Sequence, residues 1–149
     1  MPNTLFSSSQ ATPPAEAARP TATARPKLSG RILVVEDDPD IRAMTTSILR
    51  GAGANVEEAA TASDAIAHLA DCEFDAVVMD WNLAGETGGK LLETLRDEYP
   101  ALLRRSAVVT GDLMSIPGHH EAERFGCPVL AKPFRPRQLV ETVATILSK

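Results

Sequence analysis

FDAVVMDWN, residues 74–82, is the stretch that decides the fold. Four apolar residues, two of them β-branched, lead directly into the carboxylate of Asp80. This pattern is typical of a buried parallel strand whose C-terminal end presents a polar side chain at the edge of a sheet. Strands that end in an acid are common, so Asp80 becomes a candidate site residue only if other strands end in matching chemistry.

Four further short strands are predicted around this one, and polar residues follow three of them. The predicted strands are Ile32–Val35, Val56–Ala60, Ala107–Val109 and Pro128–Ala131. The polar residues that follow are Glu36, Asp37 and Asp38 after the first, Thr110 after the fourth and Lys132 after the fifth. Because Pro128 cannot donate to a ladder, the last strand is predicted to lie at an edge.

Helical spacing of apolar residues fills the intervals between the strands. Pro100 is expected to end the third helix, and Pro117 interrupts the fourth. The predicted helices are Pro39–Gly51, Asp64–Cys72 with Ser63 as its N-cap, Lys90–Tyr99, a short one around His119–Phe125, and Pro136–Leu147. Alternating strands and helices predict an α/β fold, a parallel sheet with helices on both faces.

Composition predicts a single domain preceded by an arm. The chain has 149 residues, of which 44% are hydrophobic, enough for one core. Residues 1–29 are rich in Ala, Pro, Ser and Thr, which is typical of a disordered tether, so the domain is predicted to span residues 30–149. The two cysteines, Cys72 and Cys127, lack metal-ligand spacing and fit a reduced compartment.

The charge of the chain disfavours nucleic acid as a partner. The net charge is −5, and residues 1–30 contribute +2, so residues 31–149 carry −7. Such a domain repels nucleic acid. No apolar run is long enough to cross a bilayer and no secretory signal is visible, so a cytoplasmic protein without membrane contact is expected.

Four motifs together resemble the receiver domain of two-component response regulators. They are VVEDD (34–38), VMDWN (78–82), VVTG (108–111) and LAKPF (130–134). They occur in the right order, with 43 residues from Asp37 to Asp80, 30 from Asp80 to Thr110 and 22 from Thr110 to Lys132. The resemblance covers Arg31 to Lys149. It implies a flavodoxin-like sheet of order 2-1-3-4-5, which places strands one and three side by side.

The resemblance implies a phosphorylation site that depends on Mg²⁺. Asp80 corresponds to the phosphoacceptor, Asp37 to the principal metal ligand and Glu36 to a second acid. The backbone carbonyl of Asn82 is the expected third protein ligand. Mg²⁺ is a hard cation that is bound through one or two carboxylates, waters and phosphate oxygens, and this residue set matches that preference.

Two further residues are implied to hold the phosphoryl group. The Thr110 hydroxyl and the Lys132 ammonium would each contact a phosphoryl oxygen, and Lys132–Pro133 is expected to be a cis peptide. Asn82 and Asp112 flank the path of an attacking water in the family, and because both are small and polar, self-dephosphorylation within minutes is expected. Phosphoryl transfer needs positioning and charge neutralisation, so no general base is required.

The remaining polar and aromatic residues near these motifs receive structural interpretations. Asp38 is expected to be structural, as a helix N-cap. Trp81 is expected to be a partly exposed lid beside the site. His68, His119 and His120 match no metal or catalytic pattern and are expected to be exposed.

Three positions depart from the family pattern. Ala84 replaces a frequent proline, and Val129 replaces the aromatic residue that many relatives couple to the threonine. The segment Ile116–Gly118 interrupts the usual fourth helix. Dimerisation through the usual face is therefore doubtful, and a monomer or weak dimer is expected. The LAKPF ending looks more like receivers associated with hybrid histidine kinases than like those of transcription factors.

The resemblance implies a phosphoacceptor that works in a phosphorelay and signals through a protein partner. Its donor would be a histidine kinase or a histidine phosphotransfer protein, and its own chemistry would be limited to self-catalysed phosphotransfer and autodephosphorylation. One alternative is a receiver fold that only binds a partner and is never phosphorylated. Another is a phosphatase with an aspartate nucleophile, which is disfavoured because Asn82 cannot replace the second acid of such enzymes.

Overall fold

A five-stranded parallel sheet forms the centre of the fold. The computed structural model describes residues 27–83, 86–111 and 122–149. Across the sheet the strands follow the order β2-β1-β3-β4-β5, which confirms the predicted α/β class and the 2-1-3-4-5 topology. The order brings the carboxyl ends of β1 and β3 together. The strands are β1 (Arg31–Val35), β2 (Asn55–Ala59), β3 (Ala76–Asp80), β4 (Ser106–Thr110) and β5 (Val129–Ala131).

One helix cap differs from the prediction, and one short helix was not predicted. Thr61, and not Ser63, caps the second helix, because its hydroxyl accepts the Asp64 amide at 3.0 Å. The third helix ends at Glu98, just before Pro100, as expected. Pro100 then starts a short new helix, as a proline at the first helical position is free to do. The helices are α1 (Pro39–Gly51), α2 (Ala62–Asp71), α3 (Gly89–Glu98), α4 (Pro100–Leu103) and α5 (Pro136–Leu147).

The strands bury apolar side chains on both faces of the sheet. Successive residues of a strand point to opposite faces, so each strand contributes to two separate clusters. Leu33, Val77 and Met79 pack with Leu69 of α2 and Leu91 of α3. On the other face, the alternate residues Ile32, Val34 and Val78 pack with apolar residues of α1 and α5, which are Leu49, Leu139, Val140, Val143 and Ile146.

At the ends of the fold, the structure confirms one prediction and corrects another. Within the described residues β5 pairs only with β4, which confirms its place at an edge. The folded region begins earlier than residue 30, however, because Leu28 is 3% exposed and its amide donates to Ala52 O at 2.8 Å. Gly53 makes this approach possible: its φ is +114°, and a Cβ there would lie 2.6 Å from Leu28 O.

Two sequence expectations concerned the cysteines and the helices. Cys72 and Cys127 are free thiols, and burial raises the pKa of Cys127 to about 11. Among the described residues, no helix combines the length and the apolar character needed to cross a membrane. Of the short helix predicted around His119–Phe125, residues 119–121 lie outside the described ranges, and Ala122–Arg124 are helical.

Thr46 gives a test of how tightly α1 is packed. This residue is 2% exposed, and its hydroxyl has no hydrogen-bond partner among the described residues. Thr46→Val should raise the free energy of unfolding by roughly 1 kcal/mol, because it removes an unpaired buried hydroxyl and preserves side-chain shape. Urea denaturation measures the change. Thr46→Ser, which keeps the hydroxyl and loses the methyl group, should instead destabilise the protein.

Candidate functional site

Four strands of the parallel sheet deliver polar side chains to one edge. β1 is followed by Glu36 and Asp37, β3 ends with Asp80, β4 ends with Thr110, and Lys132 follows β5. The carboxyl ends of parallel strands all lie at the same edge, so residues separated by up to 96 positions in the chain become neighbours.

Three carboxylates form an acidic cluster at this edge. One carboxylate oxygen each from Glu36, Asp37 and Asp80 lies within 4.8 Å of the others. Glu36 is 5% exposed and Asp80 is 6% exposed, so two of the three are nearly removed from water. Buried like charges at this separation repel each other. The donor set is all oxygen and suits a hard divalent cation such as Mg²⁺.

Lys132 bridges two of the carboxylates. Its ammonium lies 2.8 Å from Glu36 Oε1 and 3.0 Å from Asp80 Oδ2. Burial by itself would lower the pKa of Lys132, but the hydrogen bonds to Glu36 and Asp80 outweigh it, and the net result is a raised pKa. Lys132 therefore remains an ammonium ion and offsets part of the repulsion.

Glu36 has the most perturbed carboxyl group of the cluster. Burial raises the pKa of Glu36 to about 7; the hydrogen bond from Lys132 opposes the rise, and the neighbouring charge of Asp80 adds to it. Its second oxygen, Oε2, accepts the Asp38 amide at 3.2 Å. Without a metal ion, Glu36 is thus partly protonated near neutral pH.

The segment after β3 folds back over the strand end. The Asn82 amide donates to Asp80 Oδ1 at 3.1 Å, and the Gly88 amide donates to Trp81 O at 2.7 Å. Asn82–Leu83 and Glu86–Thr87 form a two-residue antiparallel ladder, which was not predicted. A Cβ on Gly88 would lie 3.2 Å from Asp80 O, so a larger residue would have to displace the backbone by a few tenths of an ångström, which favours glycine at this close return.

Thr110 and Lys132 are joined through the backbone. The Lys132 amide donates to Thr110 O at 2.8 Å, and Thr110 is 1% exposed. The Lys132–Pro133 peptide is cis, as expected. Asp38 also behaves as expected, because its Oδ1 accepts the amides of Asp40 and Ile41 at 2.9 and 3.2 Å and caps α1.

Two side chains differ from the expectation of exposure. Trp81 is 5% exposed and belongs to the core, so it is not a lid. The two-residue alternation of β3 continues beyond Asp80, which puts Trp81 on the same buried face as Val77 and Met79. His68 is half-buried on α2. His119 and His120 lie outside the described residues.

The sequence of residues 32–144 matches the family described as the response regulator receiver domain. The chain belongs to this family. The predicted resemblance is therefore confirmed, and the chain is a receiver domain of two-component signalling. Phosphorylation on an aspartate and Mg²⁺ are typical of the family.

Relatives of this receiver include a transcriptional regulatory protein, a DNA-binding response regulator and a receiver domain of solved structure. The phosphate regulon transcriptional regulatory protein PhoB of Klebsiella pneumoniae is 29% identical over 127 residues, 82% of this chain and 53% of the relative. The DNA-binding response regulator MtrA of Mycolicibacterium smegmatis is 30% identical over 121 residues, 80% of this chain and 51% of the relative. A CheY-like receiver domain protein of Methanospirillum hungatei superposes with a TM-score of 0.74 at 31% identity, covering 81% of this chain and 95% of that one.

The relatives leave some expectations open. The receiver spans about half the length of the curated relatives, and one of them is a DNA-binding regulator by name. The expected absence of nucleic-acid binding and the hybrid-kinase subtype therefore stay predictions.

Ala84, Asp112 and the segment 116–118 lie outside the described residues, and Val129 packs half-buried against the core.

The raised pKa of Glu36 predicts a pH dependence in the metal-free protein. A carboxyl whose pKa is about 7 in the folded protein and 4.5 in the unfolded chain contributes stability that is complete below pH 4.5 and is lost as pH rises through 7. The loss should be at most about 3 kcal/mol, and Glu36→Gln should flatten this part of the profile. Urea titrations in EDTA from pH 4.5 to 8 measure it. Glu57→Gln, a change to an exposed glutamate, should leave the profile unchanged.

Proposed function

We propose that this receiver takes a phosphoryl group onto Asp80 with Mg²⁺ as cofactor and passes the signal to a protein partner. The observation that carries the proposal is the meeting of Asp80 with two more carboxylates and the Lys132 ammonium at one sheet edge. In this proposal Asp37, Glu36 and Asp80 hold the metal together with the backbone carbonyl of Asn82.

The proposed reaction moves one phosphoryl group from a donor histidine to Asp80. An Asp80 oxygen attacks phosphorus, the P–N bond of the donor phosphohistidine breaks, and its electron pair returns to the imidazole. Lys132 then exchanges the carboxylate oxygen for a phosphoryl oxygen, while its contact with Glu36 keeps the ammonium in place. The Thr110 hydroxyl donates to another phosphoryl oxygen. Water later attacks phosphorus, the bond between phosphorus and the Asp80 oxygen breaks, and inorganic phosphate leaves while the Asp80 carboxylate is restored. The family resemblance implies that Asn82 and Asp112 flank the path of this water.

An apolar groove next to Lys132 supports a protein donor. The groove has a volume of about 420 Å³ and is continuous with the site through Lys132 and Gly111. Met44 of α1, 46% exposed, is the exposed large apolar side chain of the described residues. A protein that presents a phosphohistidine to Asp80 would approach beside this groove, and Met44 would give it an apolar contact. The other residues that line the groove are Ile41, Pro133 and Phe134.

The remaining parts of the proposal rest mainly on the sequence. The receiver would begin near Leu28, which packs in the core, and the residues before it would form an arm. The domain would have no enzyme activity beyond phosphotransfer to itself and autodephosphorylation. It would work in the cytoplasm as a monomer or weak dimer, with a histidine kinase or histidine phosphotransfer protein as donor. Its net charge disfavours direct contact with nucleic acid.

Labelling from acetyl phosphate tests the proposed phosphoacceptor. With Mg²⁺, the wild-type chain should acquire one phosphoryl group per chain, cleavable by hydroxylamine and lost with a half-life of minutes. Asp80→Asn should show no label because amides are not nucleophilic here, and Asp75→Asn, outside the acidic cluster, should label normally. Label retained in Asp80→Asn would place the phosphoacceptor elsewhere. An unlabelled wild type would favour the binding-module alternative.

The stability of Asp80→Asn tests the repulsion within the acidic cluster. Removing one charge should raise the metal-free melting temperature, since Lys132 keeps Glu36 as a partner and the Asn82 amide still meets an oxygen. Mg²⁺ should raise the melting temperature of the wild type more than that of the variant. Thermal melts with EDTA or Mg²⁺ measure both effects. Metal-free destabilisation by more than about 1 kcal/mol would contradict the assumed repulsion.

Met44→Glu tests the groove as the contact for the protein donor. A charge placed on this apolar surface should slow phosphotransfer from the cognate kinase by about tenfold or more. Docking of the kinase would then remove water from the new carboxylate, and this desolvation would weaken the complex. Transfer from acetyl phosphate should be unchanged, since a small donor needs no docking. Glu141→Ala, a change to an exposed residue of α5, serves as the control. Equal losses with both donors would mean that the site itself is damaged.

A further inference from the structure

Arg42 of α1 contacts the backbone of the acidic loop, residues 36–38. Its guanidinium NH1 group donates to Glu36 O at 2.8 Å. Its Nε lies 3.6 Å from Glu58 Oε1 on β2, and its own amide donates to Asp38 O at 2.9 Å. The Arg42 side chain is 21% exposed, so these contacts are mostly shielded from water. Arg42 thus links the loop to both α1 and β2.

With this bond, each polar atom of Glu36 has a partner. The amide donates to Ala59 O at 3.0 Å, and the carbonyl accepts from Arg42. The two carboxylate oxygens accept from Lys132 and from the Asp38 amide. Of these four partners, Ala59 belongs to the sheet, Lys132 to the site and Asp38 to the acidic loop itself. Arg42 is the partner that fixes the carbonyl, and therefore the plane of the peptide bond between Glu36 and Asp37.

That peptide plane matters because Asp37 has little else to position it. Within the described residues, no hydrogen bond or ion pair involves the Asp37 carboxylate, although one of its oxygens lies within 4.8 Å of those of Glu36 and Asp80. The direction of the Asp37 side chain is therefore set through its backbone. A rotation of the preceding peptide would move the carboxylate away from the cluster.

We propose that Arg42 is a positioning residue that holds the Glu36–Asp37 peptide in the orientation required for Mg²⁺ binding. The inference rests on the proposed metal site, and it adds a residue that lies outside the acidic cluster. Arg42 acts through the backbone, and its guanidinium contacts neither the metal nor the phosphoryl group.

The charge of Arg42 makes the proposal sharply testable. A cation near three carboxylates opposes the binding of a second cation by Coulomb repulsion. If Arg42 acted only through its charge, its removal would strengthen Mg²⁺ binding. A positioning role predicts instead that removal of Arg42 weakens Mg²⁺ binding, because a misoriented Asp37 carboxylate is a poorer metal ligand. Loss of a group that orients a metal ligand typically costs about tenfold or more in affinity.

Arg50 provides a matched control on the same helix. Its guanidinium donates to Val56 O of β2 at 2.9 Å, so it makes the same kind of bond to a backbone carbonyl outside the acidic loop. Mg²⁺ titrations of the full chain at constant ionic strength, followed by the fluorescence of Trp81, compare the wild type with Arg42→Gln and Arg50→Gln. Trp81 is the single tryptophan and directly follows Asp80.

Arg42→Gln should weaken Mg²⁺ binding by about tenfold, while Arg50→Gln should leave it unchanged. Affinity in Arg42→Gln equal to or tighter than in the wild type would overturn the inference. If the wild type itself bound no Mg²⁺, the proposed metal site would fail instead. Glu58→Gln removes the ionic partner of Arg42 but keeps the bond to Glu36 O, so its Mg²⁺ affinity should stay close to that of the wild type.

A measurement without metal separates positioning from general destabilisation. Amide hydrogen exchange of Asp38, whose amide donates to Glu36 Oε2, should accelerate in Arg42→Gln and stay at the wild-type rate in Arg50→Gln. Equal rates in all three proteins would contradict the proposal. Arg42→Lys keeps the positive charge and serves as a second variant in case Arg42→Gln does not fold. It should also bind Mg²⁺ more weakly than the wild type, whereas Arg50→Lys should not.

Discussion

Buried carboxylates gathered at one sheet edge are the constraint on which this site depends. Glu36 and Asp80 lie close together with almost no water around them, a state that is unfavourable unless a cation is shared between them. Lys132 supplies that cation with contacts of 2.8 and 3.0 Å. Burial raises the pKa of Glu36, and the nearby Asp80 charge adds to the rise. The same shielded carboxylates form an oxygen-rich cluster that suits a hard cation.

The parallel sheet creates the cluster, and the loops refine it. The neighbouring positions of β1 and β3 bring the acidic loop beside Asp80, while β4 and β5 add Thr110 and Lys132 from the other side. The acidic loop is then fixed by α1, through the Asp38 cap and the Arg42 guanidinium. Sheet topology sets the positions of the residues to within a few ångströms, and hydrogen bonds to the backbone set the directions of the carboxylates.

The site is also connected to the core. The pleat of β3 continues through Trp81, so the residue after Asp80 packs with Val77 and Met79. Gly88 returns close to the Asp80 carbonyl and closes the segment over the strand end. Asp80, the proposed phosphoacceptor, is thus bonded directly to a residue with a large aromatic side chain that packs in the core.

The sequence by itself determined the strand and helix pattern, the family and the identity of the residues at the strand ends, because hydrophobic periodicity and short motifs are local. It did not predict the burial of Trp81, the cap at Thr61, the ladder after Asp80 or the contact of Arg42 with Glu36 O. These depend on which face a residue occupies and which backbone group comes within reach. Only the three-dimensional fold selects among the several caps, faces and backbone acceptors that the sequence allows for each residue.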